Sequence, residues 1–113
     1  MSGGGGGSGR GDLGPAIGDG IDQCSRSYEA PINSPKASAL GPLNVGDVLD
    51  VIVVPTGSSS TLAVMDSSGS IGGSLTFFGY LQVMNCIVQQ AVNYKAEILS
   101  IVGGVYTVRV APV

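Results

Sequence analysis

Residues 65–75, MDSSGSIGGSL, crowd three glycines and four serines between two apolar runs. That composition suits a loop whose backbone amides cradle phosphate. A P-loop also needs the spacing G-x-x-x-x-G-K-[ST], in which the lysine reaches the outer phosphates, and no Gly-Lys pair occurs in the chain. The stretch therefore reads as a hairpin turn over 67–69 leading into a short strand. In that strand Gly72-Gly73 marks a bulge or a close backbone approach. Those two glycines are the first place to expect a ligand or a partner strand.

The remaining reactive side chains are few. The chain has no histidine, and its cysteines are Cys24 and Cys86 alone. Ser–His and Cys–His nucleophilic catalysis need an imidazole, which only another chain could supply, and zinc ligands are too scarce for a site. From residue 43 onward the carboxylates are Asp47, Asp50, Asp66 and Glu97. Paired carboxylates can perform glycoside chemistry, but Asp47 and Asp50 stand three apart on a strand and point to opposite faces, and the turn-forming NVGD accounts for Asp47. GRGDLG at 9–14 matches G-x-G-x-x-G only formally, because a glycine run precedes it where a strand is required. RGD at 10–12 is an adhesion tripeptide without an extracellular setting to support it. No enzyme, cofactor or metal is expected.

Positioning elements follow from the pattern. Ten of the nineteen glycines lie in residues 3–20, so 1–27 reads as a flexible arm that adds little core. Prolines at 31, 35 and 42 make 28–42 an extended segment, with YEAPI at 28–32 the part most able to dock. The body is 43–113. There LNVGDVLDVIVV alternates with apolar residues on both faces and reads as a largely buried strand ended by Pro55. TLAVMD at 61–66 is a second strand, with Leu62 and Val64 on one face, and IGGSL is a third. In FFGYLQVMNCIVQQAV at 77–92, the residues Phe77, Tyr80, Leu81, Met84, Ile87, Val88 and Ala91 recur at helical spacing. They form one apolar face, with Thr76 as N-cap. Tyr94, Ala96 and Ile98 then line one face of a strand. Gly103-Gly104 supplies a tight hairpin, and Tyr106, Val108 and Val110 line the last strand. The expected fold is mainly β with one helix (α+β), in the order β-β-β-α-β-β. It packs as a small antiparallel β-barrel or rolled sheet capped by the helix.

Charge restricts the partners. The net charge is −3, and Lys95 and Arg109 are the only basic residues of the body. A nucleic-acid footprint of several Lys and Arg is missing. Only six of the 71 residues from 43 onward are charged (Asp47, Asp50, Asp66, Lys95, Glu97 and Arg109), against about 25% in an ordinary domain. With apolar residues on both faces of strand 45–54, so bland a surface implies that part of the sheet is covered by the arm, by another copy or by a partner. No apolar run approaches the roughly 20 residues of a membrane span. No charged segment followed by a long apolar one opens the chain. A soluble, cytoplasmic protein is expected, in which Cys24 and Cys86, though able to form one disulfide, stay free thiols. Cys86, beside the apolar helix face, would then act as a small hydrophobe.

The run LAVMDSSGSIGGSL, the helix containing LQVMNCIVQQ, and then NYKAEILSI, GG and a final strand resemble the HIRAN domain in order and in residue type over about 45–110. The resemblance implies a compact β-barrel, which in some members captures the free end of single-stranded DNA through aromatic and basic residues. On that reading Phe77, Phe78, Tyr80, Tyr94 or Tyr106 would stack bases, helped by Lys95 and Arg109. The chain departs from the family in having PTGSSST where an Asn-Pro-rich segment usually precedes the Ala-Val strand, and in its lack of basic residues. The leading expectation is therefore a non-catalytic binding or assembly module that docks on a protein partner or on itself. Nucleic-acid-end binding is the alternative.

Overall fold

In a computed structural model of the chain, residues 24–113 are described; the expected arm falls mostly outside them. Six strands form one antiparallel sheet: β1 (Tyr28–Pro31), β2 (Val48–Thr56), β3 (Ser59–Met65), β4 (Ile71–Ser74), β5 (Tyr94–Val102) and β6 (Val105–Pro112), in the spatial order β1-β6-β5-β2-β3-β4. A four-residue helix α1 (Ala37–Leu40) precedes β2, and α2 (Tyr80–Gln90) joins β4 to β5. The expected order from β2 onward is present. Ahead of it lie a strand and a short helix that the sequence did not announce.

Alternation sets the faces of the sheet. Along β2, Leu49, Val51 and Val53 point inward, and the register places Val51 opposite Val64 and Val53 opposite Leu62 of β3. Tyr94, Ala96 and Ile98 of β5 and Val108 and Val110 of β6 complete the inner face, as their spacing requires. The β5–β6 hairpin closes through Gly103 and Gly104, both with positive φ (57° and 80°), the conformation that a two-residue turn demands. A register shift between Ile98 and Ser100 marks a bulge in the same hairpin.

Residues 28–42 add to the core. Ala30, Ile32, Ala39 and Leu40 are all buried, and β1 pairs with β6 along its whole length. This corrects the expectation of an extended segment outside the body at 43–113. The segment is short and proline-bearing, so it carries no period of its own, and β6 supplies the ladder that orders it.

The helix also differs from expectation. It starts at Tyr80, not after Thr76, because Gly79 has φ 106° and cannot continue a helix backwards. A Cβ at Gly79 would lie 2.8 Å from Tyr28 Cε2. Phe77 thus precedes the helix, and its ring packs on Tyr28 with centroids 5.0 Å apart. The buried face is Val83 and Cys86, flanked by Tyr80, Met84 and Ile87, while Leu81 (63%) and Val88 (61%) are exposed. Apolar residues at 80, 81, 83, 84, 87 and 88 support two overlapping stripes, and spacing alone cannot rank them.

What ranks them is covalent. Cys24 and Cys86 form a disulfide with Cα atoms 5.7 Å apart, and no cysteine is left free. The bond turns Cys86 inward and ties the start of the described chain to the middle of α2. This corrects the expectation of free thiols. No described helix is long and apolar enough to cross a membrane.

Candidate functional site

The two ends of the sheet come together. Asn33, just past β1, exchanges two backbone hydrogen bonds with Ser74 of β4: Asn33 N–H to the Ser74 carbonyl (2.8 Å) and Ser74 N–H to the Asn33 carbonyl (3.0 Å). Lys36 N–H donates to the Gly72 carbonyl at 2.9 Å. The glycines singled out as open backbone are therefore occupied by the chain itself. A Cβ on Gly72 would lie 2.7 Å from Leu40 Cδ2. On Gly73 (φ 151°) it would lie 2.5 Å from Ile32 Cγ2. Both positions are glycine because residues 32–40 lie across them.

The turn before β4 is built as a turn. Asp66 Oδ1 accepts hydrogen bonds from Ser68 N–H (2.9 Å), Ser68 Oγ (2.7 Å) and Ser70 N–H (2.9 Å). Asp66 N–H donates to the Ser70 carbonyl at 2.9 Å. The Ser68 hydroxyl and then the Ser70 amide hold the Asp66 carboxyl below its ordinary value. The donors a phosphate would need are spent on this carboxylate. Asp47 serves the preceding turn in the same way, accepting the Asn44 N–H at 2.8 Å.

The expected aromatic and basic residues do not converge. Tyr94 is buried on the inner face and donates its hydroxyl proton to the Cys24 carbonyl at 3.2 Å. Its burial, then repulsion from Tyr28, raises its pKa. Tyr106 is half-buried and donates to the Leu40 carbonyl at 3.5 Å, the limit of a hydrogen bond. Tyr80 and Phe77 are partly buried against the core, and Phe78 alone of this set stands fully exposed. Lys95 bonds Asp50, its cross-strand partner. Arg109 lies between Glu29 (3.6 Å) and Glu97 (3.8 Å). Among the described residues, no group of three or more His, Cys, Asp or Glu side chains is arranged to hold a metal ion.

What the structure does bring together lies on the outer face of the sheet. Register and alternation divide that face into two halves. Across β1, β6 and β5 run Glu29, Arg109 and Glu97 in cross-strand pairs, with Lys95 and Asp50 at the seam with β2. Across β2, β3 and β4 run Ile52 opposite Ala63, Val54 opposite Thr61, and Met65 opposite Ile71. Ile52, Val54, Met65 and Ile71 are half-exposed and do not belong to the core cluster or to the side chains packed against it. The apolar second face read in the sequence of strand 45–54 is thus real, but it extends over three strands. No local pattern signals this clustering, since Ile52, Met65 and Ile71 become neighbours only through register. The chain matches no protein-family model, no curated protein and no solved structure.

Proposed function

We propose that this domain is a non-catalytic docking module that binds a protein surface, a partner's or a second copy's, through the outer face of β2, β3 and β4. The observation that carries the reading is the half-exposed apolar set Ile52, Val54, Met65 and Ile71, gathered around the buried Ala63 on the side of the sheet away from the core. Apolar side chains on a solvated sheet face forgo about 25 cal/mol per Å² that a covering surface would recover. The charged half beside it would orient a partner more than hold it, because exposed ion pairs are worth only about 0–1 kcal/mol.

The mutual bonds of Asn33 and Ser74 favour a further reading of shape, in which the sheet rolls into a small barrel. Such closure removes free strand edges and leaves recognition to the faces. The disulfide supports action in an oxidising compartment, where such bonds persist.

A photo-cross-linking side chain placed at Ile52, and separately at Glu97 as control, tests the docking reading. Light scattering on the same samples identifies a second copy. The reading expects one discrete adduct from position 52 and none from 97. A monomer that gives the same adducts from both positions would refute it.

A further inference from the structure

The Cys24–Cys86 bond is unequal at its two ends. Cys86 lies within α2 with no surface open to solvent, among Val83, Tyr94 and the rest of the inner cluster, whereas Cys24 stands half-exposed ahead of β1. A thiol that opens a disulfide must bring its thiolate onto one of the two sulfurs, and access decides which. With Cys86 sealed, that sulfur is Cys24. The chain around Cys24 can part from α2 without disturbing the sheet. Residues 25–27 are exposed and belong to no strand, and the hydrogen bond from Tyr94 Oη to the Cys24 carbonyl spans 3.2 Å, long for a hydroxyl donor. From Tyr28 onward the ladder with β6 takes over, and Ala30 and Ile32 anchor the segment in the core. Movement that follows opening of the bond therefore stops at β1.

We infer that the disulfide is a one-sided thiol-exchange site, at which a small-molecule thiol is taken up on Cys24 while Cys86 serves as the resolving sulfur. The incoming thiolate attacks Cys24 Sγ, a new S–S bond forms there, and the bond to Cys86 breaks. Its electron pair leaves on Cys86 Sγ, which takes up a proton and then packs in the core as a small hydrophobe. Return follows the same path: the Cys86 thiolate attacks Cys24 Sγ and expels the small thiol. One disulfide replaces another, so no outside oxidant or reductant is consumed. Opening is slow, because the departing Cys86 sulfur carries its charge in apolar surroundings. Nothing in this chemistry involves the outer face of β2, β3 and β4.

The test treats the oxidised full chain with excess reduced glutathione under native conditions, quenches with acid, and blocks free thiols with N-ethylmaleimide. Trypsin then separates the two cysteines, because cleavage after Arg10, Arg26, Lys36 and Lys95 puts Cys24 in peptide 11–26 and Cys86 in peptide 37–95. At partial conversion, glutathione should be found on 11–26 and maleimide on 37–95, with the reverse pairing at least about tenfold rarer. In urea sufficient to unfold the chain, the two pairings should approach equality. Amide resonances of the glutathione-bearing chain should shift around 24–27, α2 and Tyr94 while the β1–β6 ladder persists. Glutathione shared equally between the two peptides under native conditions would overturn the inference, as would loss of that ladder. A native chain that does not exchange, or one whose exchange rate rises with urea in step with global unfolding from the lowest concentrations, would overturn it too.

Discussion

Reducing the Cys24–Cys86 bond should cost this domain a large share of its stability, chiefly through the unfolded chain. The two cysteines are 62 residues apart, and chain-entropy arguments for a loop of that length give about 4 kcal/mol at room temperature. Little of this should be offset or enlarged in the folded state. Cys86 is fully buried on the inner face of α2 and would remain there as a small hydrophobe when reduced. For a domain of this size each kcal/mol moves the melting temperature by about 4–8 °C, so the reduced protein should melt roughly 15–30 °C lower. Thermal unfolding followed by circular dichroism, with and without reductant, measures the difference, and the double variant Cys24→Ala/Cys86→Ala should reproduce it. Mass spectrometry after alkylation of unreduced protein should show no blocked thiol. Two alkylated cysteines in that sample, or melting temperatures that agree within about 2 °C across the redox states, would refute the reasoning.

Leu40→Ala removes a fully buried side chain that lies over Gly72 and should destabilise by about 2–5 kcal/mol. A shift of the urea midpoint worth less than about 1 kcal/mol would mean that 28–42 is not core. The raised pKa of Tyr94, caused by burial and then by Tyr28, makes stability pH-dependent in the alkaline range. The unfolded chain releases the phenolic proton first, near pH 10. Stability should therefore be intact below that value and fall as pH rises toward the folded pKa. Tyr94→Phe should remove that part of the slope and cost about 1 kcal/mol at neutral pH for the lost bond to the Cys24 carbonyl; an unchanged slope above pH 10 would count against the assignment.

The body of the sheet was legible because its signals are local. Gly103-Gly104 between alternating runs fixes the β5–β6 hairpin, and the period-2 burial of Tyr94, Ala96 and Ile98 holds residue by residue. Ser67, Ser68 and Gly69 were readable as a turn for the same reason. What escaped depends on distant partners. YEAP is too short to show a period and contains a proline, so β1 exists only because β6 offers a ladder at Thr107–Val110. The face of α2 was ambiguous until the disulfide chose it. The strand glycines at 72 and 73 were read as open when their lack of side chains in fact admits Leu40 and Ile32. A glycine pair in a strand signals close approach without saying what approaches.

That last substitution of one neighbour for another changes where function is to be sought. A partner strand would need free backbone on β4, but Asn33 and Lys36 already bond to Ser74 and Gly72. Strand addition there would have to displace a segment anchored by Leu40 and, further upstream, by the disulfide. Binding at β4 that leaves this structure intact must use its face. Of the two halves of the outer face, the charged one satisfies itself, since Arg109 has Glu29 and Glu97, and Lys95 has Asp50. A partner there would have to break pairs to make new ones, for little net gain. The apolar half has no such internal competitor, so covering Ile52, Met65 and Ile71 removes water at no cost in existing contacts. The same N-terminal segment that closes the strand edge also sets Lys36 beside that half, and so couples the sealing of one surface to the shaping of the other.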